Sequence, residues 1–139
     1  MAKPIRIILV DDHKLIRESC RLLLELDKRF TVIAECKNGT EAIEQAKKLL
    51  PDVMLMDVHM SPINGFEATK KITSFAPSVK IIGISTNNSP SYATKMLDNG
   101  AKGFVTKTSP FDELKIAIEK VHDGEIYICG EIKKRSPDQ

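Results

Sequence analysis

The sequence lacks the features that mark membrane proteins, secreted disulfide-rich proteins and nucleic-acid-binding arms. No uninterrupted apolar run exceeds four residues, which is too short for a transmembrane helix or a signal-peptide core. Cys20, Cys36 and Cys129 are far apart and odd in number, so a disulfide framework is not expected. The net charge is only +2, which argues against a dedicated nucleic-acid-binding arm. These absences predict a soluble cytoplasmic protein with no membrane partner.

The 139 residues leave room for one domain of ordinary globular composition. Short apolar runs alternate with longer segments in which apolar residues recur at helical spacing. The predicted strands are residues 5–10, 31–36, 53–56, 79–84 and 103–105. Runs this short and this apolar are typical of strands covered on both faces. The five β-α repeats predict one parallel sheet with right-handed crossovers and helices on both faces.

Capping chemistry marks where three of the predicted helices begin. The three residues with this chemistry are Asn38, Ser89 and Ser109. Near the C-terminus the repeating pattern stops, and a short apolar piece at 126–128 is followed by charged and polar residues. We therefore assign residues 1–124 to the domain and residues 125–139 to a C-terminal tail or the start of a linker.

Acidic residues follow two of the predicted strands, at the sheet edge where open α/β sheets bind ligands. Asp11 and Asp12 follow the first strand, and Asp57 follows the third. Two carboxylates about 4 Å apart repel by about 4 kcal/mol at an effective dielectric near 20, so the cluster should protonate, spread apart or bind a cation. Hard oxygen ligands favour Mg²⁺, or Mn²⁺. A helix N-cap role for Asp11 or Asp12 alone is the alternative, and it explains the set of three acids poorly.

A nucleophile and two phosphoryl-binding groups are predicted at the same edge. Asp57 follows a run that should be buried, and a carboxylate there beside a divalent cation is a plausible nucleophile. Lys107 can neutralise the charge of an incoming phosphoryl group, and Ser85 can donate a hydrogen bond to it. Either residue alone is more often a surface lysine or a turn serine, so the prediction depends on the whole set.

These residues, in this order and spacing, resemble the receiver domain of bacterial two-component response regulators over about residues 4–123. The resemblance is carried by Asp11, Asp12, Asp57, Ser85, Phe104 and Lys107. It implies a flavodoxin-like (CheY-like) sheet of five parallel strands in the order 2-1-3-4-5. It also implies a phosphoacceptor that assists its own phosphorylation and dephosphorylation, and not an enzyme in the usual sense.

The resemblance assigns a role to each site residue. Asp57 would accept a phosphoryl group from a sensor histidine kinase. Asp12 and Asp57 would bind Mg²⁺ directly, Asp11 through water, and the backbone carbonyl of His59 would be the third protein ligand. The phosphoryl-binding and switch residues would be Ser85, Thr86, Lys107 and Phe104. After phosphorylation Ser85 would move, the ring of Phe104 would turn inward, and the surface formed by residues 90–122 would change and recruit a partner.

The two ends of the domain resemble the LuxR/NarL-type branch of the family, at residues 7–13 and 123–127. In that branch a linker and a DNA-binding helix-turn-helix normally follow. The branch implies a transcriptional output, with DNA contacted only through that further domain, and dimerisation enhanced by phosphorylation. A single-domain regulator without DNA-binding output is the alternative.

The chain departs from the family pattern at three places: Ser61 stands where a proline usually follows Met60, and Thr86 and Thr108 follow Ser85 and Lys107. Proline is common after the lysine, whereas Thr108 follows Lys107 here; we nevertheless expect a cis Lys107–Thr108 bond that aims the lysine inward. His59 and Asn87 flank the route of a hydrolytic water and are expected to set the phosphoryl lifetime. Thr86 is larger than the residue usual at its position and is expected to narrow access to Asp57.

Three other protein classes fit the same residues less well. A haloacid dehalogenase-type phosphohydrolase requires a second aspartate two residues after the nucleophile, where this chain has His59. A flavodoxin requires a phosphate-binding loop after the first strand, where the acids Asp11 and Asp12 would repel phosphate. An adaptor independent of phosphorylation would not require the intact acids and lysine. His13 and His122 are interpreted as solvated helix residues.

Overall fold

The computed structural model describes residues 3–135, which form one sheet of six parallel strands. The strands are β1 (Ile5–Val10), β2 (Phe30–Cys36), β3 (Val53–Asp57), β4 (Lys80–Ser85), β5 (Gly103–Thr106) and β6 (Tyr127–Ile128). The helices are α1 (Lys14–Glu25), α2 (Gly39–Leu49), α3 (Gly65–Phe75), α4 (Pro90–Asp98), α5 (Phe111–His122) and α6 (Gly130–Arg135). The strand order is β2-β1-β3-β4-β5-β6.

The parallel α/β architecture is confirmed, but the predicted number of five strands is wrong. The apolar piece at 126–128 does not end the domain: Tyr127 and Ile128 form a sixth strand beside β5. The backbone N–H of Cys129 donates to the carbonyl of Phe104 at 3.0 Å. The strand forms because the edge of β5 offers backbone groups that need hydrogen-bond partners, and a strand of two residues supplies them. Of the predicted tail, residues 136–139 lie outside the described residues.

Helices cover both faces of the sheet, as the continuous apolar strands predict. All five residues of β3 are buried, and every residue of β1 except Arg6 is buried. α1 and α5 lie on one face, where they line a common apolar groove of about 560 Å³. α2, α3 and α4 pack in a row on the other face, which is the arrangement that right-handed crossovers dictate. The buried central strands therefore fix the positions of the residues at their carboxyl ends.

The capping chemistry is confirmed at Asn38; α4 does begin after Ser89, but the Ser89 side chain makes no cap hydrogen bond. The side chain of Asn38 accepts a hydrogen bond from the backbone of Glu41 at 2.9 Å, and Ser89 is the N-cap residue of α4. The prediction for Ser109 is wrong, since α5 begins one residue later with Pro110 at the N-cap position. The Ser109 hydroxyl pairs instead with the hydroxyl of Thr106 at 2.9 Å. A hydroxyl three residues earlier in the chain thus takes the place of the predicted cap.

No helix within residues 3–135 combines the length and the apolar character that crossing a bilayer requires.

Gly65, the first residue of α3, is pressed against the backbone that follows β3. A Cβ atom at this position would overlap the carbonyl oxygen of Asp57 and lie 2.7 Å from the Cα atom of Val58. The Gly65 N–H donates to the carbonyl of Val58 at 3.0 Å, so the two segments cannot separate without losing this bond. The absence of a side chain at Gly65 therefore sets the position of the loop after Asp57.

We expect Gly65→Ala to lower the free energy of unfolding by about 1–3 kcal/mol, because backbone atoms have to move to admit the methyl group. Gly130→Ala is the matched control, since among residues 3–135 the only atom near a Cβ there is a Glu113 side-chain oxygen at 3.9 Å. Urea denaturation of both variants and the parent measures the difference. Equal stabilities of the two variants would contradict the close approach at Gly65.

Candidate functional site

Three carboxylates meet where β1 and β3 end side by side. Asp57 is the last residue of β3, and Asp11 and Asp12 follow β1, its neighbour in the sheet. One oxygen of each of these carboxylates and a ring nitrogen of His13 all lie within 4.8 Å of one another. The side chains of Asp57 and Asp11 are 2 % and 12 % exposed, whereas that of Asp12 is 46 % exposed. The predicted acidic cluster therefore forms, with one edge open to solvent.

The Asp57 carboxylate is only half satisfied by the protein. Its Oδ1 atom accepts a hydrogen bond from the backbone of His59 at 3.1 Å, but its buried Oδ2 atom has no hydrogen-bond partner within the described residues. Burial raises the pKa of Asp57, opposed by the His59 N–H and the charge of Lys107; Asp11 and Asp12 raise it further. The Oδ2 atom is thus available to a metal ion or an electrophile.

Lys107 supplies the positive charge that faces the acids. Its Nζ atom lies 3.2 Å from Asp11 Oδ2 and 3.6 Å from Asp57 Oδ2. Its backbone N–H donates to the carbonyl of Ser85 at 2.8 Å, which fixes the chain just past β5. The predicted cis Lys107–Thr108 bond is wrong, because this bond is trans. The cis bond within the described residues is Ser61–Pro62. A trans bond already lets the lysine reach both acids, so the cost of about 2.5–4 kcal/mol for a non-proline cis bond brings no gain.

His13 contacts the acids, which corrects its interpretation as a solvated helix residue. It is the N-cap residue of α1, and although its side chain is 62 % exposed, Nδ1 lies 3.0 Å from Asp11 Oδ1 and 2.9 Å from Asp12 Oδ1. Its backbone N–H also donates to Asp11 Oδ1 at 2.9 Å. The signal in the sequence is its position two residues after Asp11, where an aspartate side chain commonly accepts from the backbone.

Ser85, the last residue of β4, is fully buried and already engaged. Its Oγ atom lies 2.9 Å from Nε2 of His59 and accepts the backbone N–H of Asn87 at 2.9 Å. The His59 ring in turn lies against Tyr92 of α4, with ring centroids 5.6 Å apart. Sequence reasoning considered the His59 backbone carbonyl and its place beside a water route, but missed these side-chain contacts, which no local pattern encodes.

The structure does not place Phe104 among the acids, and Thr86 is exposed just past β4. Phe104 is completely buried in β5. It lies opposite Gly83 of β4, where a Cβ atom would come within 3.2 Å of the ring and 2.8 Å of Met96. The ring is therefore fully buried in this structure, and its role as a switch residue stays a prediction.

The donor set fits a hard divalent cation such as Mg²⁺. The three carboxylates offer oxygen ligands, and the unpartnered Oδ2 atom of Asp57 lies among them. Mg²⁺ accepts sites of one or two carboxylates completed by water, and the exposed edge at Asp12 gives water access.

Comparison with known proteins identifies the family. Residues 7–119 match the family described as response regulator receiver domain. The chain belongs to this family. A receiver domain is a phosphoacceptor signalling domain of two-component systems and not an enzyme of the usual kind, which agrees with the histidine at position 59 where a phosphohydrolase of the rival class requires an aspartate.

The relatives of this receiver domain are transcriptional regulators of the predicted LuxR/NarL-type branch. The chain is 40 % identical over 128 residues to the transcriptional regulatory protein LnrK of Bacillus subtilis (strain 168), covering 92 % of this chain and 58 % of that protein. It is 36 % identical to the response regulator GacA of Pseudomonas viridiflava, covering 94 % of this chain and 61 % of that protein. The chain thus spans little more than half the length of these curated relatives.

A solved structure shares nearly the whole fold. The LuxR-family two-component response regulator from Aurantimonas sp. SI85-9A1 superposes with a TM-score of 0.92 at 32 % identity, covering 95 % of this chain and 94 % of that one. Because the superposition includes most of residues 3–135, the receiver fold of this chain is confirmed along its length.

We expect Asp57→Asn to raise the free energy of unfolding by about 1–3 kcal/mol at neutral pH, because it removes a buried charge with an unpartnered oxygen. Since burial raises the folded-state pKa of Asp57, the charge destabilises the fold above that pKa. The gain should vanish as the pH falls through the usual value of 3.8. Urea denaturation at several pH values measures it.

Mg²⁺ should stabilise the parent protein but not Asp57→Asn, because an ion that binds only the folded state shifts unfolding by mass action. Asp98→Asn, the same change on the exposed end of α4, is the control for both measurements. A destabilised Asp57→Asn variant, or one that responds to Mg²⁺ like the parent, would contradict this assignment.

Proposed function

We propose that this receiver domain is a phosphorylation switch whose phosphoacceptor is Asp57. The observation that carries the proposal is the buried, unpartnered Oδ2 atom of Asp57 beside the ammonium group of Lys107. A carboxylate oxygen without a hydrogen-bond partner is available to act as a nucleophile. The ammonium group is positioned to offset the charge that a phosphoryl group brings.

Asp11, Asp12, Asp57 and the backbone carbonyl of His59 would hold the Mg²⁺ ion. When bound, the ion neutralises charge on the carboxylates and on the phosphoryl oxygens. An Asp57 oxygen attacks the phosphorus of a phosphohistidine on the sensor kinase. As the O–P bond forms, the P–N bond breaks and its electron pair returns to the histidine ring. Lys107 then exchanges its contact with Asp57 for one with a phosphoryl oxygen, and Asp57 carries an acyl phosphate.

The contact between Ser85 and His59 is the part of the site that has to change. Where the Ser85 hydroxyl donates to Nε2 of His59, it has to leave this ring before it donates to a phosphoryl oxygen, and the ring lies against Tyr92 of α4. Tyr92 also contacts Phe66 of α3, with ring centroids 5.7 Å apart. Loss of the Ser85 contact would let His59 and Tyr92 rearrange, and the surface of residues 90–122 would respond.

The output that we propose is control of transcription in the cytoplasm. The curated relatives carry the names of transcriptional regulators and are longer than this chain, so a DNA-binding domain would act in the whole protein. We further propose a sensor histidine kinase as phosphoryl donor and a homodimer that phosphorylation strengthens.

Incubation with acetyl phosphate and Mg²⁺ should add the mass of a single phosphoryl group to the parent protein. Asp57→Asn should gain none, because it lacks the attacking carboxylate, and removal of Mg²⁺ should prevent the gain in the parent. Asp98→Asn is the control that should react normally. Intact-protein mass spectrometry reads the result. Multiple-turnover release of phosphate from unrelated monoesters would instead support a phosphohydrolase.

The phosphoryl lifetime should depend on His59 and Asn87, which adjoin Ser85. Replacing both by alanine removes bulk beside the acyl phosphate, so water should reach it more easily and dephosphorylation should become several times faster. The phosphorylated double variant and parent are compared by mass spectrometry over time after acetyl phosphate is removed. Unchanged rates would show that these side chains do not control water access.

A further inference from the structure

Glu131, in the first turn of α6, joins three segments of the chain. Its Oε1 atom accepts hydrogen bonds from the hydroxyls of Thr108 at 2.6 Å and Thr106 at 2.7 Å. Its Oε2 atom accepts the side-chain amide of Asn88 at 2.9 Å. The carboxylate therefore connects the end of β5 and the loop between β4 and α4 to the C-terminal helix. Lys107 lies at the end of β5, and the loop between β4 and α4 follows Ser85.

The three consecutive residues at the end of β5 have two opposite sets of partners. Thr106 and Thr108 both donate to Glu131, whereas Lys107 between them contacts Asp11 and Asp57. Fixing the two outer side chains restricts rotation of the backbone on either side of the lysine. The contacts of Thr106 and Thr108 with α6 thereby help to fix the direction of the Lys107 ammonium group.

The position of α6 is fixed by contacts other than those of the Glu131 carboxylate. Cys129 and Ile132 are buried in the core, at 0 % and 3 % exposure. The backbone N–H of Gly130 and the hydroxyl of Tyr127 each donate to Glu113 Oε2 at 2.8 Å. α6 is thus attached on both sides of Glu131 by other contacts, and the Glu131 carboxylate is free to act on the β5 end.

The bonds to Glu131 are made to a charged group. The hydroxyls of Thr108 and Thr106 and the amide of Asn88 lower the pKa of Glu131 to about 2, so it is ionised at neutral pH. Hydrogen bonds to an ionised acceptor are shorter and stronger than neutral ones, which agrees with the distances of 2.6 and 2.7 Å.

We infer that Glu131 is a positioning residue for Lys107: it fixes Thr106 and Thr108 and so aims the ammonium group at the phosphoryl site. The inference rests on the proposed function of Asp57. It ties the C-terminal segment to the site, and linkage requires the effect to run both ways. Occupation of the site makes Glu131 and α6 more rigid, and loss of the Glu131 carboxylate weakens binding at the site.

The test is a calorimetric titration of the 139-residue chain with beryllofluoride in the presence of Mg²⁺. Glu131→Ala should raise the dissociation constant at least about fivefold, the low end of ordinary coupling between sites. Glu131→Gln keeps a neutral acceptor oxygen for both threonine hydroxyls and should raise the dissociation constant less than Glu131→Ala does. Glu125→Ala removes an exposed carboxylate just before β6, paired only loosely with Lys120 at 3.9 Å, and should have no effect.

Hydrogen exchange gives a second readout that a merely structural role would not move. Beryllofluoride should slow amide exchange in residues 130–135 of the parent and leave it unchanged in Glu131→Ala. If Glu131→Ala does not fold, Thr108→Val decides the question, since it removes one of the two hydroxyls at an exposed position. Thr108→Val should raise the dissociation constant in the same direction by a smaller factor.

The outcomes separate this inference from the proposed function. A parent protein that binds no beryllofluoride would overturn the proposed function itself. A parent that binds while Glu131→Ala and Thr108→Val bind equally well would overturn only the role of Glu131. Equal weakening in Glu131→Ala and Glu125→Ala would also overturn it, because the effect would then be one of general charge.

Discussion

The structure depends on a carboxylate that the protein buries without satisfying. Asp57 ends a strand that is covered on both faces, so its position cannot relax, and its Oδ2 atom finds no hydrogen-bond donor. Two further acids stand beside it and one lysine opposes them, which leaves the site short of positive charge. An unsatisfied buried polar atom normally costs stability, and its position at the sheet edge supports the proposal that a ligand binds there.

The groups around this carboxylate divide into fixed and exchangeable ones. The backbone N–H of Asp11 donates to Cys36 at the end of β2, and that of Lys107 donates to Ser85 at the end of β4. Thr108, the residue after Lys107, also donates to Glu131 of α6. Ser85 is different, because its hydroxyl is bonded to His59 and would have to leave that ring to reach a phosphoryl group. In the proposed switch two contacts are therefore exchanged, that of Lys107 with Asp57 and that of Ser85 with His59.

The parallel sheet and the acidic cluster were predictable because both follow from strand ends. Once residues 5–10 and 53–56 are read as neighbouring parallel strands, Asp11 and Asp57 must converge. The features that were missed depend on contacts distant in sequence. Tyr127 becomes a strand residue only because β5 has an open edge, and the trans bond after Lys107 suffices only because Asp11 lies within reach. His59 finds Ser85 across 26 residues, a separation that no local pattern encodes.

The two-residue strand β6 also determines how other chains can meet this molecule. An uncovered strand at a sheet boundary offers free amides and carbonyls, onto which a foreign strand can extend the sheet. Beside β5 those groups are occupied at Lys102 and Phe104 by the backbone of Tyr127 and Cys129. Strand addition is blocked at this point of the molecule. A partner of the proposed α4–β5–α5 surface would meet the side chains there and not a free backbone edge of β5.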